Sequence, residues 1–392
     1  MKNKIAGKIL LILFLAVVLF SACSPVKEFK TVPAYKGAND YSYALPVYDP
    51  LKKTVVIVAN NDGTELFDMM APYYLFNATE KADVYIAARE KSPIVVKKGI
   101  FVLPQLTFDE IDSLSIQPDV IAIPFLSIAD SVHQDPVVIN WIKKHYSEKV
   151  AVLSVCDGSA TAAATGIFDG KPITAHASDY DGIKANFTKP SWVKNVSVAN
   201  EGNLYSTAGV SNATEGSLMV IQKVFGEEDM KKVIGKIHYP GELPKTKHES
   251  LTFHFGDKLV IAKKIIFKKD RNIGVLLQNG MDEFELAAVM DTYNRTFPAS
   301  IKSFSAGDEP VQTKFGLTII PTGSINNQRV DELHVLHPET FASTNLEGFK
   351  AVDFVKYNGV QRRYIIDECL ERINNEYGAK YQNIVKLMLD YN

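Results

Sequence analysis

The chain has 392 residues, 46% hydrophobic and 22% charged, with a formal net charge of −2. That length suits two globular domains with sizeable cores. Near-neutral charge without a long basic run argues against a nucleic-acid partner, and three cysteines far apart do not make a disulfide scaffold.

The first residues read as an export signal. Lys2, Lys4 and Lys8 precede an unbroken apolar run over residues 9–20. A bilayer span needs about 20 residues, so this run fits the apolar region of a signal peptide better. Ser21 and Ala22 then lead into Cys23, the position of a lipidated cysteine in a bacterial lipobox, although Phe20 stands where a smaller aliphatic residue is usual. The expectation is a signal peptide over 1–22, lipidation of Cys23, and an exported protein held on the outer or cytoplasmic membrane. An uncleaved anchor is the alternative. Residues 23–53 are polar and carry prolines at 25, 33, 46 and 50, which suits a tether.

From Thr54 the pattern changes. Val55–Val56–Ile57–Val58, then residues 119–123 and 150–155, are short runs rich in β-branched residues, as in strands buried on both faces. Helical patterns over 66–76 and 136–145 alternate with them. This predicts an α/β fold: a mainly parallel, flavodoxin-like sheet with helices on both faces over residues 54–240. Ligands of such sheets bind beyond the carboxyl ends of the strands. Further helices are expected from Glu215 to Phe225 and, past Gly226, to about Ile237. Residues 241–270 read as a connection in which Leu259–Val260–Ile261 is strand-like.

Residues 271–392 read as a truncated, non-catalytic second copy of the first domain. A shift of 217 pairs Gly63 with Gly280, Phe67 with Phe284, Asn77 with Asn294, Gly99 with Gly316 and Pro104 with Pro321, and Asp68 with Glu285. A shift of 152 later pairs Leu218 with Leu370 and Gly226 with Gly378. Between the two shifts the second copy loses the region around Cys156, and after His337 no strand–cysteine–turn is expected. Its exposed sheet edges predict that it docks on the first domain.

Cys156 closes the run at 150–155 and is followed by Asp157–Gly158 and a small-residue helix from Ser159 to about Gly166. Strand, tight turn and helix make a nucleophile elbow. The helix N-terminus behind it would favour thiolate, and turn N–H groups at Asp157 and Gly158 could hold an oxyanion. A buried inert cysteine is the bland alternative. Cys156 is read as a free thiol, with a Cys156–Cys369 disulfide left open.

Val155-Cys156-Asp157-Gly158-Ser159, Gly166-Ile167-Phe168-Asp169-Gly170-Lys171 and Thr174-Ala175-His176 together resemble the ThiJ/PfpI superfamily, the class I glutamine amidotransferase-like fold. Tyr205-Ser206-Thr207-Ala208-Gly209-Val210 resembles its "TSAGV" segment, and residues 62–76 its first strand–loop–helix. The flavour looks like isonitrile hydratases and the sensor domains of AraC-type regulators. The resemblance implies that Asp68, four residues before Pro72, is the carboxyl that hydrogen-bonds the nucleophile, with Glu65 the runner-up and His176 the strand histidine near the site. A carboxyl beside a thiolate could share its proton. Asp157 stands where protease-like members have histidine, which disfavours a protease. Phe125–Leu126 stand where many members have two glycines, so Phe125 should narrow the oxyanion pocket.

The expected activity is a cofactor-free, cysteine-dependent hydratase or lyase acting on a small electrophile such as an isonitrile or aldehyde. The alternative is a small-ligand or redox-sensing module. No metal motif is present, and a homodimer is left open.

Overall fold

The computed structural model describes residues 35–37, 41, 46–96, 99–126, 134–267, 271–324, 329–338, 350–357 and 363–392. The segment expected to direct export, and Cys23, lie outside them. Among the described residues no helix is long and apolar enough to cross a membrane.

The first unit runs β1 (Lys53–Val58), α1 (Leu66–Asn77), β2 (Ala82–Ala88), β3 (Ile94–Val96), β4 (Ile100–Val102), β5 (Leu106–Thr107), α2 (Phe108–Ser113), β6 (Val120–Ile123), α3 (Pro136–His145) and β7 (Ala151–Ser154). It continues through α4 (Gly158–Thr165), β8 (Pro172–Ile173), α5 (Tyr180–Asn186), β9 (Ser191–Trp192), β10 (Val198–Glu201), β11 (Leu204–Thr207), α6 (Ala213–Phe225) and α7 (Glu227–Lys236). The seven-stranded sheet has the order β10-β11-β7-β6-β1-β2-β5 and is parallel except for β10. The β-branched runs make its centre because both faces are covered. Val55 and Ile57 enter one apolar core and Val56 and Val58 the other, as a period of two requires. The expected mainly parallel sheet with helices on both faces is what forms.

A helix α8 (Phe255–Phe267) precedes the C-terminal unit. It corrects the strand expected at Leu259–Val260–Ile261: a short apolar run does not distinguish strand from helix, and here Val260 and Ile261 pack on the main core from one helical face. Then follow β12 (Asn272–Leu276), α9 (Glu283–Asn294), β13 (Ser300–Phe304), β14 (Val311–Gln312), β15 (Thr318–Pro321), β16 (Arg329–Val335), β17 (Lys350–Lys356), α10 (Ile365–Tyr377) and α11 (Ala379–Leu389). Its parallel four-stranded sheet, β13-β12-β16-β17, repeats the order β2-β1-β6-β7. A strand therefore does follow His337, but it carries no cysteine and no elbow helix is described after it.

The shift of 217 carries Leu66–Asn77 onto Glu283–Asn294, and the shift of 152 carries Ala213–Phe225 onto Ile365–Tyr377, end for end. The two units meet about a local twofold. Strands β14-β15-β4-β3 form one antiparallel sheet across the boundary. In it Val102 pairs with Ile319, its own counterpart at the shift of 217. The rings of the counterparts Phe67 and Phe284 lie 5.2 Å apart. Self-pairing of equivalent residues is the signature of an isologous contact, here made within one chain. One apolar core runs through both units, from Val55 and Phe67 to Phe284 and Ile366.

Candidate active site

Cys156 sits between β7 and α4 with φ of +54°. A non-glycine residue pays for that conformation, and it persists only where the surroundings hold it. Thr207 at the end of β11 does so, its Oγ1 accepting from the Cys156 N–H at 3.2 Å. Gly158 allows the elbow to sit against β6: a Cβ there would lie 2.2 Å from the Ile123 carbonyl oxygen and 2.7 Å from that of Pro124. The small residues Ala160, Ala162 and Ala163 are buried between helix and sheet.

Two carboxylates come from the start of α1. Glu65 is the N-cap, its Oε2 accepting from the Asp68 N–H at 2.9 Å. Asp68 is fully buried. Its Oδ2 accepts from the Phe125 N–H at 3.2 Å, while the Phe125 carbonyl accepts from the Glu65 N–H at 2.9 Å. Residue 125 thus fastens the head of α1 to the end of β6. Asp68 Oδ1 is buried without a hydrogen-bond partner among the described residues, which leaves it as the oxygen able to carry a proton.

Burial pushes the Asp68 carboxyl well above its ordinary value, and the Glu65 charge adds to this, against the pull of the Phe125 N–H. Burial likewise pushes the Cys156 thiol well up. Asp68 is the strongest charge acting in the same direction, followed by Asp157 and Glu65, while the Asp157 N–H favours thiolate. These directions run against the expectation of a thiolate activated by its helix. Cys156 is only 3% exposed, and three carboxylates act on it in the same direction as burial. Burial and the neighbouring carboxylates thus push both groups toward their protonated forms.

Two other expectations change. The Phe125 N–H is engaged by Asp68 and the Gly158 N–H by the Val155 carbonyl at 2.8 Å, so neither is an open oxyanion donor. The Asp157 N–H is directed at the sulfur. His176 is not brought to Cys156 by any described contact. It follows β8 rather than lying in it; its Nδ1 accepts from the Ser178 N–H at 3.2 Å, so Nε2 donates to the Met388 carbonyl at 3.2 Å, at the end of α11. The segment 205–210 supports the site instead. Ser206 Oγ donates to the Thr174 carbonyl at 2.8 Å, and Gly209 lies where a Cβ would come within 2.0 Å of Asp390 Cβ. Cys156 and Cys369 are both free and buried. No group of side chains able to hold a metal occurs among the described residues.

The pattern of residues pointed to Cys156, Asp68 and Glu65 but missed Thr207 and also Arg295, the C-cap of α9. Arg295 is buried, and its Nη2 lies 3.6 Å from Glu65 Oε1. Nothing near residue 295 in the sequence marks it as part of a site some 140 residues earlier.

Residues 52–223 match the DJ-1/PfpI family. An isonitrile hydratase of Pseudomonas putida is 24% identical over 172 residues, which cover 44% of this chain and 72% of that protein. A deglycase of Pyrococcus horikoshii is 27% identical over 157 residues, covering 40% and 89%. Among solved structures, DJ-1beta of Drosophila melanogaster covers 47% of this chain and 97% of its own, at 18% identity and a TM-score of 0.42.

Proposed function

Residues 52–223 of this chain are a DJ-1/PfpI family domain, and from that premise we propose that it is a cysteine-dependent hydratase or lyase acting on a small electrophilic carbon, an isonitrile or an aldehyde. The observation that carries this reading is a buried elbow thiol on which the charge of a buried Asp68 acts. A related isonitrile hydratase supports the substrate class. With an isonitrile, the sulfur of Cys156 bonds to the terminal carbon while Asp68 gives that carbon its proton and receives the thiol proton. The product is a thioimidate and a restored acid. Water then adds to the C=N carbon, its proton passing through Asp68 to nitrogen, and the C–S bond breaks to release a formamide and regenerate the thiol. With an aldehyde the same two groups would form a hemithioacetal. Near-complete burial limits substrates to small ones, and no step calls for a cofactor.

The test is turnover of small isonitriles and 2-oxoaldehydes, followed by NMR, by the full chain and by its Cys156→Ser and Asp68→Asn variants. The reading requires formamide or hydroxyacid formation that both substitutions abolish; turnover that survives Cys156→Ser would end it. The closure of the site favours a second reading, a small-ligand or redox-sensing module, for which ligand-induced stabilisation without turnover is the expected result.

The pattern over residues 2–23 supports a further part of the proposal, that Cys23 is lipidated and the domain works at an extracytoplasmic membrane surface.

A further inference from the structure

The end of α9 carries a cation into the site of the other unit. Arg295 Nη1 forms an ion pair with Asp291 and donates to the Asp291 carbonyl at 2.9 Å; its Nε donates to the Met388 carbonyl at 3.0 Å; its Nη2 lies 3.6 Å from Glu65 Oε1. The side chain is 7% exposed and Glu65 3%. A guanidinium stays charged in such a place and fixes its partners through a rigid fork. The local twofold makes the placement one-sided. The counterpart of Arg295 under the shift of 217 is Ala78, the C-cap of α1, so the first unit returns no such cation to Asp282, the counterpart of Glu65. Arg295 occurs only where the opposite unit has the elbow cysteine.

We infer that Arg295, supplied by the second unit, is a positioning residue of the Cys156 site, holding Glu65 in place beneath Asp68. This rests on the reading of Cys156 as the reacting group. Around the thiol and Asp68 stand Glu65 at the head of α1, Asp157 from the turn after β7, and Asp291 and Arg295 from the end of α9. Among these Arg295 is the cation. It lies between Asp291, its closer partner, and Glu65, whose charge it screens, and Glu65 caps the amide of Asp68. Without it Glu65 becomes an unscreened anion in a dry cluster, where its repulsion of a thiolate is largest. The second unit is then more than a cover, because the carboxylate pair of the first is balanced by a charge that only the second provides.

The experiment reads the thiol rather than turnover. In the full chain, iodoacetamide labelling of the Cys156 peptide is timed by mass spectrometry between pH 7 and pH 10. The wild type is compared with Arg295→Met, Glu65→Gln and the double variant, with near-UV circular dichroism as the check on folding. Arg295→Met should raise the labelling midpoint by about one unit, slowing labelling at pH 8 about tenfold, since one unit is tenfold in thiolate. In the Glu65→Gln background, where the anion is already gone, the same substitution should slow it less than about threefold. An unchanged rate in Arg295→Met, or the same factor in both backgrounds, overturns the inference. Should Arg295→Met not fold, Arg295→Lys carries the same comparison, because it keeps the charge but loses the fork. A slowing of about threefold that disappears with Glu65→Gln is then expected, and a wild-type rate overturns it. A chain with no turnover on any isonitrile or aldehyde would sink the proposed activity, while this comparison would still decide the role of Arg295.

Discussion

Glu283 offers a quantitative check on the contact between the two units. It is fully buried at the start of α9; its Oε1 accepts from the Phe315 N–H at 2.8 Å and from the Thr313 hydroxyl, and the Phe315 carbonyl accepts from the hydroxyl of Tyr73 in α1 at 2.7 Å. Burial lifts its carboxyl from 4.5 to about 7, against the pull of those two donors. A raised carboxyl favours the folded state least when ionised. Below pH 4 both folded and unfolded chains hold the proton and there is no penalty. As pH rises, the unfolded chain ionises first, so stability is lost up to about pH 7 and is constant above it. At 1.36 kcal/mol per unit the loss is about 3 kcal/mol. Glu283→Gln removes this titration while keeping an acceptor for both donors. Urea unfolding of the two proteins at pH 4 and pH 8 isolates it, since every other group titrates alike in both. The advantage of Gln over Glu should grow by about 3 kcal/mol from pH 4 to pH 8, on the order of 1 M in midpoint for a chain of this size. Parallel stability profiles would refute the burial of an ionisable Glu283 in the interface.

Gly158→Ala would place a Cβ under 3 Å from three backbone atoms of Ile123 and Pro124; it should cost about 3 kcal/mol in urea unfolding and change the labelling of Cys156, and a wild-type midpoint would mean the elbow does not press on β6. Labelling of Cys156 in the folded chain should have a midpoint above about 8.5, the ordinary cysteine value, because burial and Asp68 oppose the thiolate; a lower midpoint would restore the helix-activated thiol. Cys23→Ala should leave the precursor unprocessed or release the protein from the membrane fraction, and a variant that fractionates and migrates like the parent would remove the lipid anchor from the account.

The elbow was legible because its parts are local. A β-branched run, a cysteine, a glycine two residues on and a stretch of alanines dictate strand, turn and helix without reference to the rest of the chain. Asp68 was singled out by the family resemblance, and the helix that carries it has bounds close to those of its apolar pattern. The repeat was legible through residues that set backbone geometry, such as the glycines at 226 and 378, both at positive φ between paired helices. The environment of the thiol was not legible, because it depends on its burial and on carboxylates that converge only in the fold. Arg295 belongs to the same class: its meaning comes from the twofold that brings the end of α9 to the cap of α1. The partner of His176 was not legible for a related reason, since Met388 lies in the last helix of the chain.

The central claim is that Cys156, with Asp68 as its acid, adds to a small electrophilic carbon. It is tested most directly by incubating the full chain with a small alkyl isonitrile, stopping the reaction by rapid quench, and following the thioimidate adduct by intact-protein and peptide mass spectrometry. The account predicts one adduct, on Cys156, with its formation slowed at least about a hundredfold by Asp68→Asn, the size expected when a general acid is removed. Formamide production with Cys156 unmodified at every time point, or adduct formation as fast in Asp68→Asn as in the parent, would contradict it.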